Sequence, residues 1–331
     1  MITYDLVKVV KNDDWEKKVD DYIKQGGVRM KFVTFYNPEG QIRAGWLANH
    51  TVVDMNHVSD GMLPDTLEEF IQDHEKYMKL VEELNRKGDL HAYSLEQIRL
   101  TAPLQRPNSF RDFVSFETHV KNAASRNGNS VALEWYEMPI FYFSNTNTMK
   151  GPEEEVKRPR KCLKLDYELE LACIIGKEGR DIKAHEAEDY IFGYTILNDW
   201  SARDLQMKEM KVLLGPAKGK DFATSIGPYI ITKDELESYR VDTKFDLEMT
   251  AKVNGKLLSS GNFKEVYYSF GDMIERASED VTLYPGDIIG SGTVGFGCIM
   301  ELGQEVHRWL EPGDEVELSI TGLGTLRNKI M

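Results

Sequence analysis

The sequence predicts an α+β fold. After about residue 100, segments of strand character follow one another with short helices between them, and no regular strand–helix–strand alternation is present to build a parallel sheet. One long segment, Lys164–Gly176, alternates along its length, the period-two pattern of a β-strand. With 331 residues the chain has room for about two domains, and 41% hydrophobic residues can bury a sizeable core.

One face of Lys164–Gly176 carries Leu165, Tyr167, Leu169, Leu171, Cys173 and Ile175 and reads as a core face. The other carries Asp166, Glu168 and Glu170 before turning apolar at Ala172 and Ile174. Glu168 and Glu170 therefore project side by side, their Cα atoms roughly 6.5–7 Å apart. At an effective dielectric of about 20 two such carboxylates repel by roughly 2.4 kcal/mol. A solvated face would relieve that. A strand that continues as Ala-Cys-Ile-Ile instead puts them at the edge of a core, where a hard divalent ion such as Mg²⁺, Mn²⁺ or Ca²⁺ suits all-oxygen ligands.

The net charge of −14 argues against nucleic acid or an anionic membrane as partner, and an acidic substrate would need local Lys or Arg. Cys162, Cys173 and Cys298 show no CxxC spacing and leave an odd count, which fits reduced thiols in a cytoplasmic protein. Lys8, Lys11, Asp13 and Asp14 follow the N-terminus closely, so a signal-peptide core is not expected. The charge-free stretch Ile288–Met300 is broken by Gly290, Gly292, Gly295 and Gly297, and no membrane span is expected.

Asp13–Gln25 reads as an amphipathic helix, with Trp15, Val19, Tyr22 and Ile23 on one stripe. Strands are expected at Met30–Tyr36, Ile42–Ala48 and Val52–Met55, joined into a small antiparallel meander. Thr66–Lys87 has a helical stripe of Leu67, Phe70, Ile71, Tyr77, Met78, Val81 and Leu84, closed by Gly88. Residues 1–100 are read as a small N-terminal α+β domain without obvious chemistry, and 101–331 as the main domain.

From Ser109 the pattern turns helical. On one regular helix Asp112 and His119 would share a face two turns apart, with Asn122 continuing it. A surface ion pair and a functional constellation both fit that spacing. Pro139–Asn145 is a compact aromatic strand, the basic run Lys157–Lys161 a solvated loop, and Ile182–Tyr190 a surface helix that leaves His185 exposed. Ile191–Leu197 reads as a buried strand. Ser201-Ala-Arg-Asp204 resembles a capping box opening a helix over Ala202–Val212. Asp199, between the two, suits an N-cap or a functional carboxylate. The glycine-rich loop Gly215–Phe222 delivers Lys218 and Lys220 toward the strand Gly227–Ile231. A hairpin turns at Asn254-Gly255, and Phe270–Ala277 is a helix. Strands are expected at Asp287–Gly290, Ile299–Leu302 and Glu315–Ile320. Gly290-Ser-Gly-Thr-Val-Gly295 matches GxGxxG, but a strand-like run follows it instead of a helix N-terminus, so a dinucleotide site is not expected.

Five runs in order resemble the fumarylacetoacetate hydrolase family: Leu-Asp-Tyr-Glu-Leu-Glu-Leu-Ala172, Leu197–Gln206, Leu214–Thr224, Pro285–Thr293 and Ile320–Asn328. The similarity covers roughly residues 103–331. It implies a mixed, folded β-roll with flanking helices, usually a homodimer, a divalent metal with Mg²⁺ foremost, and chemistry on a small keto or diketo acid. It makes Glu168, Glu170 and Asp199 metal ligands, with Asp112 at the position of a fourth carboxylate. His119 falls at the general-base position, and Glu301 where a glutamate orients the base and the attacking water. Lys220 and Thr224 match residues beside the metal; Tyr142, Gln206 and Thr293 match substrate-contacting positions. Val114 and Met210 stand where the hydrolase has substrate-binding tyrosines, and Arg126 is near, but displaced from, its pocket arginine. Fumarylacetoacetate itself is therefore not the expected substrate.

The reaction this implies first is hydrolytic cleavage of a C–C bond in a β-diketo acid. His119 takes a proton from water, Glu301 orients the imidazole, and Lys220 offsets oxyanion charge or binds a substrate carboxylate. Decarboxylation or keto–enol isomerisation in the same site is the alternative, because a stabilised enolate suffices for both. A metal-binding protein without catalysis is a third reading, which the presence of both His119 and Glu301 disfavours.

Overall fold

The strand Leu169–Ile175 pairs antiparallel with Ile191–Asn198 on one side and with Ile288–Gly290 on the other. It belongs to a computed structural model that describes residues 29–331 apart from 89 and 127. The helix expected over Asp13–Gln25 lies outside the described residues.

Outward from Ile191–Asn198 the same sheet continues through Thr224–Thr232, Lys31–Tyr36, Ile42–Ala48, Thr51–Asp54 and Ala92–Ser94. The meander of the first hundred residues is thus hydrogen-bonded to Thr224–Thr232, and the sheet runs unbroken across residue 100. In the other direction Phe110–Phe113 lies parallel to Ile288–Gly290, and Phe141–Phe143 forms the edge. A second sheet contains Lys256–Asn262, Glu248–Val253, Glu315–Ile320, Gly324–Ile330 and Glu155–Val156 in that order.

The alternation of Leu169–Ile175 fixes how the layers meet. Leu169, Leu171, Cys173 and Ile175 pack in one cluster with Met249, Ala251, Leu318 and Leu326 of the second sheet. Ala172 and Ile174 turn the opposite way, into a cluster with Phe32, Trp46 and Phe70. Every residue of this strand is buried. Each large aliphatic side chain so placed contributes about 1.5–3 kcal/mol of burial, so the strand that carries the acidic residues is among the best-anchored backbone in the molecule. The fold is a mixed α+β arrangement, as the sequence predicts.

Several local expectations are corrected. Thr66–Lys87 is two helices, Leu67–Gln72 and His74–Lys87, broken where Asp73 leaves helical backbone at φ −126° and ψ 33°. The stretch after Ser109 is not one helix. Phe110–Phe113 is a strand buried at all four residues, and the helix begins only at Glu117 and runs to Arg126. Asp112 and His119 therefore stand on different elements. Ile299–Leu302 is a single helical turn instead of a strand. Ile182–Tyr190 reduces to the 3-10 turn Ala187–Tyr190, with His185 exposed. The helix after Asp199 spans Arg203–Glu209 without a side-chain cap, because Ser201–Ala202 pairs with Leu165–Asp166. That pairing also divides the central strand, which resumes at Leu169. Among the described residues no helix is long and apolar enough to cross a membrane.

Candidate active site

The register of the large sheet brings distant acidic residues to one end. Asp112 is in register with Gly290 on one side and Tyr142 on the other, and Gly290 is in register with Ala172 of the strand that carries Glu170. A Cβ on residue 290 would lie 2.4 Å from Asp112 Oδ1, so glycine there is what leaves room for the carboxylate. Asp199 follows the last residue of Ile191–Asn198, and Asn198 Oδ1 accepts from the Glu168 amide at 2.9 Å. The result is four carboxylates, Asp112, Glu168, Glu170 and Asp199, all buried.

The glycine-rich loop closes this cluster with one ammonium. Lys220, itself buried, donates to both Glu168 Oε2 and Asp199 Oδ2, and the Tyr142 hydroxyl donates to the same oxygen of Asp199. Arg203 Nη2 reaches Glu168 Oε1 at 2.8 Å. Glu170 is held from the GxGxxG loop: Gly292 N donates to Oε2 at 3.1 Å and Thr293 Oγ1 to Oε1 at 3.2 Å. The glycines thus serve a carboxylate of the site. Gly292 has φ +78°, and a Cβ there would meet Phe113 O at 2.4 Å, so the turn requires glycine.

Burial pushes Asp112 up, and the charges of Glu170 and Asp199 push it further. Burial likewise raises Glu170, followed by Glu168 and Asp199. Burial also raises Asp199, against the opposing pull of Lys220. Glu168 is the exception. Burial alone would raise it, but Arg203 and Lys220 outweigh burial and hold it well below the usual carboxylate range. Lys220 is raised because Asp199 and Glu168 overcome the cost of burying its charge. Four acidic side chains thus share two cations, and burial with mutual repulsion opposes the ionisation of three of them.

The donor set fits a hard divalent cation. Asp112 Oδ1, Asp199 Oδ1 and Thr224 Oγ1 are buried without a hydrogen-bond partner, and every available donor is oxygen. His119, Cys298 and Glu301 also gather possible ligand atoms within 4.8 Å of one another. Their atoms are already hydrogen-bonded: Glu301 Oε2 accepts from His119 Nδ1 at 2.8 Å and Cys298 Sγ at 3.3 Å, and Oε1 from Asn122 Nδ2 at 3.0 Å and Phe296 N at 2.9 Å. Burial would raise Glu301, but the charge and hydrogen bond of His119, with the other donors, hold it below its ordinary value.

The remaining residues singled out from the sequence are dispersed. Gln206 accepts from Arg203 Nη1 at 3.2 Å, one residue removed from the carboxylates. Arg126 turns to the backbone, donating to Glu301 O at 3.0 Å and to Glu305 at 3.3 Å. Met210 is half exposed. The sequence reading gives Asp166, Arg203 and Cys298 no role in the site. Asp166 was in view on the acidic face, yet its partners lie 37 and more residues away.

The profile described as fumarylacetoacetate (FAA) hydrolase C-terminal matches residues 108–331. Oxaloacetate tautomerase YisK of Bacillus subtilis (strain 168) is 31% identical over 277 residues, covering 81% of this chain and 87% of that protein. The mitochondrial oxaloacetate tautomerase Fahd2a of Rattus norvegicus is 30% identical over 284 residues, covering 85% and 84%. A solved fumarylacetoacetate hydrolase from psychrophilic Exiguobacterium antarcticum is similar with a TM-score of 0.70 at 26% identity, over 91% of this chain and 99% of that one. Sequence motifs, sheet and comparisons agree that the protein belongs to the fumarylacetoacetate hydrolase family.

Proposed function

We propose that the protein interconverts the keto and enol forms of a short 2-oxo dicarboxylic acid of the oxaloacetate kind, with a divalent metal ion, Mg²⁺ foremost. The observation that carries the reading is the buried His119–Glu301 pair, whose imidazole acts on Glu168, one of four buried carboxylates that a cation would neutralise. Asp112, Glu168, Glu170 and Asp199 would hold the ion. When bound, it supplies Lewis-acid stabilisation of the enolate.

The residues of the chain would do the rest. His119 Nδ1 is committed to Glu301, so Nε2 is the nitrogen that takes a proton from the carbon beside the ketone and returns it to oxygen. Ionised Glu301 stabilises the imidazolium while it exists. Lys220 offsets developing negative charge. Tyr142 and Thr293, bonded to Asp199 and Glu170, are the polar side chains that would meet the acid.

The sequence alone put C–C hydrolysis first. Two relatives at 30–31% identity over four fifths of both chains carry the name oxaloacetate tautomerase, and this moves proton transfer ahead. Val114 and Met210 support the change, since neither can supply a tyrosine hydroxyl to a larger diketo acid. Hydrolysis remains the second reading, because the same His119–Glu301 pair could activate water.

The test is the loss of enol-oxaloacetate absorbance with protein stripped by chelator and reloaded with Mg²⁺. Metal-dependent acceleration that disappears in His119→Ala is expected. Equal rates with stripped and reloaded protein would contradict the proposal.

A further inference from the structure

Asp166 lies two residues before Glu168 and is fully buried, yet its bonds lead away from the four-carboxylate cluster. Its Oδ1 accepts from Ile299 N at 2.8 Å; its Oδ2 accepts from Met300 N at 3.0 Å and from Arg203 Nε at 3.0 Å. Those two amides open the helical turn Ile299–Leu302, which has no side-chain cap of its own. The first amides of a helix lack partners within it, so an outside carboxylate is what satisfies them. The next residue in that turn is Glu301.

Arg203 completes the connection. It is buried, and its two arms hold Asp166 and Glu168 at once. An ion pair of Glu168 with Arg203 therefore continues as hydrogen bonds from Arg203 through Asp166 to the 299–300 backbone, and Glu301 of the same turn accepts from His119. Bonds between charged partners are short and directional, and in a dry interior a shift at one end strains the rest. A counter-charge for Arg203 alone would not need to grip two successive amides.

We propose that Asp166 and Arg203 are positioning residues: they fasten the turn carrying Glu301 to Glu168, so that the aim of the His119 base is tied to the carboxylate cluster. The proposal rests on the reading of Glu301 as the residue that orients His119.

A double-mutant cycle tests it, using Mg²⁺-loaded protein and enol-oxaloacetate, with kcat, KM and circular dichroism recorded for each variant. Asp166→Asn, which keeps shape but loses charge, should lower kcat about ten- to a hundred-fold with KM held within about twofold. In a Glu301→Gln background the same change should cost less than about threefold more, because the turn no longer carries a working orienter. Arg203→Lys keeps the charge but loses the planar fork whose Nε and Nη2 reach Asp166 and Glu168 at once, and should behave in the same way. If Asp166→Asn does not fold, Arg203→Lys takes its place in the cycle. Losses that multiply while Glu301→Gln is impaired refute the link alone, as would a loss confined to KM. Glu301→Gln at the wild-type rate would refute the orienting role and the link with it.

Discussion

His119 Nδ1 lies 2.8 Å from Glu301 Oε2, a contact between residues 182 positions apart in the chain. It decides which ring nitrogen is left for chemistry, and it places a proton acceptor on a carboxylate that three other donors hold. His119→Ala should lower kcat by about 10²–10⁴ while leaving Mg²⁺ affinity intact. Steady-state kinetics beside a metal titration check this, and a variant that turns over at the wild-type rate contradicts the role.

Glu168 and Glu170 are expected to bind one divalent ion together with Asp112 and Asp199. The double variant Glu168→Gln/Glu170→Gln removes two charges without changing size. It should weaken Mg²⁺ or Mn²⁺ binding measured by calorimetry by about tenfold or more. Unchanged affinity would remove the acidic strand from the metal site.

Lys220 is expected to stand in for missing positive charge in the metal-free protein. Lys220→Met would leave Glu168 and Asp199 facing each other without it, and breaking a buried pair costs about 3–5 kcal/mol. Thermal melts should show the metal-free variant strongly destabilised and saturating Mg²⁺ recovering part of the loss. A melt identical to wild type without metal would contradict this.

How much of this was legible can be judged residue by residue. The central strand was, over Leu169–Ile175, because the alternation of Leu169, Leu171, Cys173 and Ile175 with Glu170, Ala172 and Ile174 is a local signal. The shared helical face of Asp112 and His119 was not. The apolar spacing of Phe110, Phe113 and Phe116 imitates a helix, but Phe110–Phe113 is drawn into the sheet by Ile288–Gly290, more than 170 residues away. The turn Ile299–Leu302 reads as a strand for a similar reason: its amides are satisfied by Asp166, 133 residues earlier. The grouping of the four acidic side chains followed from the family motifs. The Asp166–Arg203 connection did not, since only the folded chain brings its partners together.

Asp314 offers a pH test away from the site. Burial would raise its carboxyl, but Arg308, Asn254 and the Glu311 amide outweigh it and bring the value from 3.8 down to about 2. A depressed carboxylate stabilises the fold above its unfolded pKa, and that contribution fades as pH falls toward the folded value. Asp314→Asn should therefore cost about 2 kcal/mol near neutral pH, and the gap to wild type should close between pH 3.8 and about 2. Denaturant unfolding at several pH values measures it. A constant gap would show that charge is not the cause.

The central claim, metal-assisted proton transfer without bond cleavage, is tested most directly by following oxaloacetate with the Mg²⁺-loaded protein by proton NMR in deuterated water. The account predicts accelerated exchange of the C3 protons, dependent on Mg²⁺ and on His119, with the four-carbon acid intact. Appearance of pyruvate and CO₂ without faster C3 exchange would contradict it and favour decarboxylation. If oxaloacetate exchange is unchanged while an acylpyruvate is cleaved with ¹⁸O entering the released acid, hydrolysis is the native reaction and the proposal is wrong.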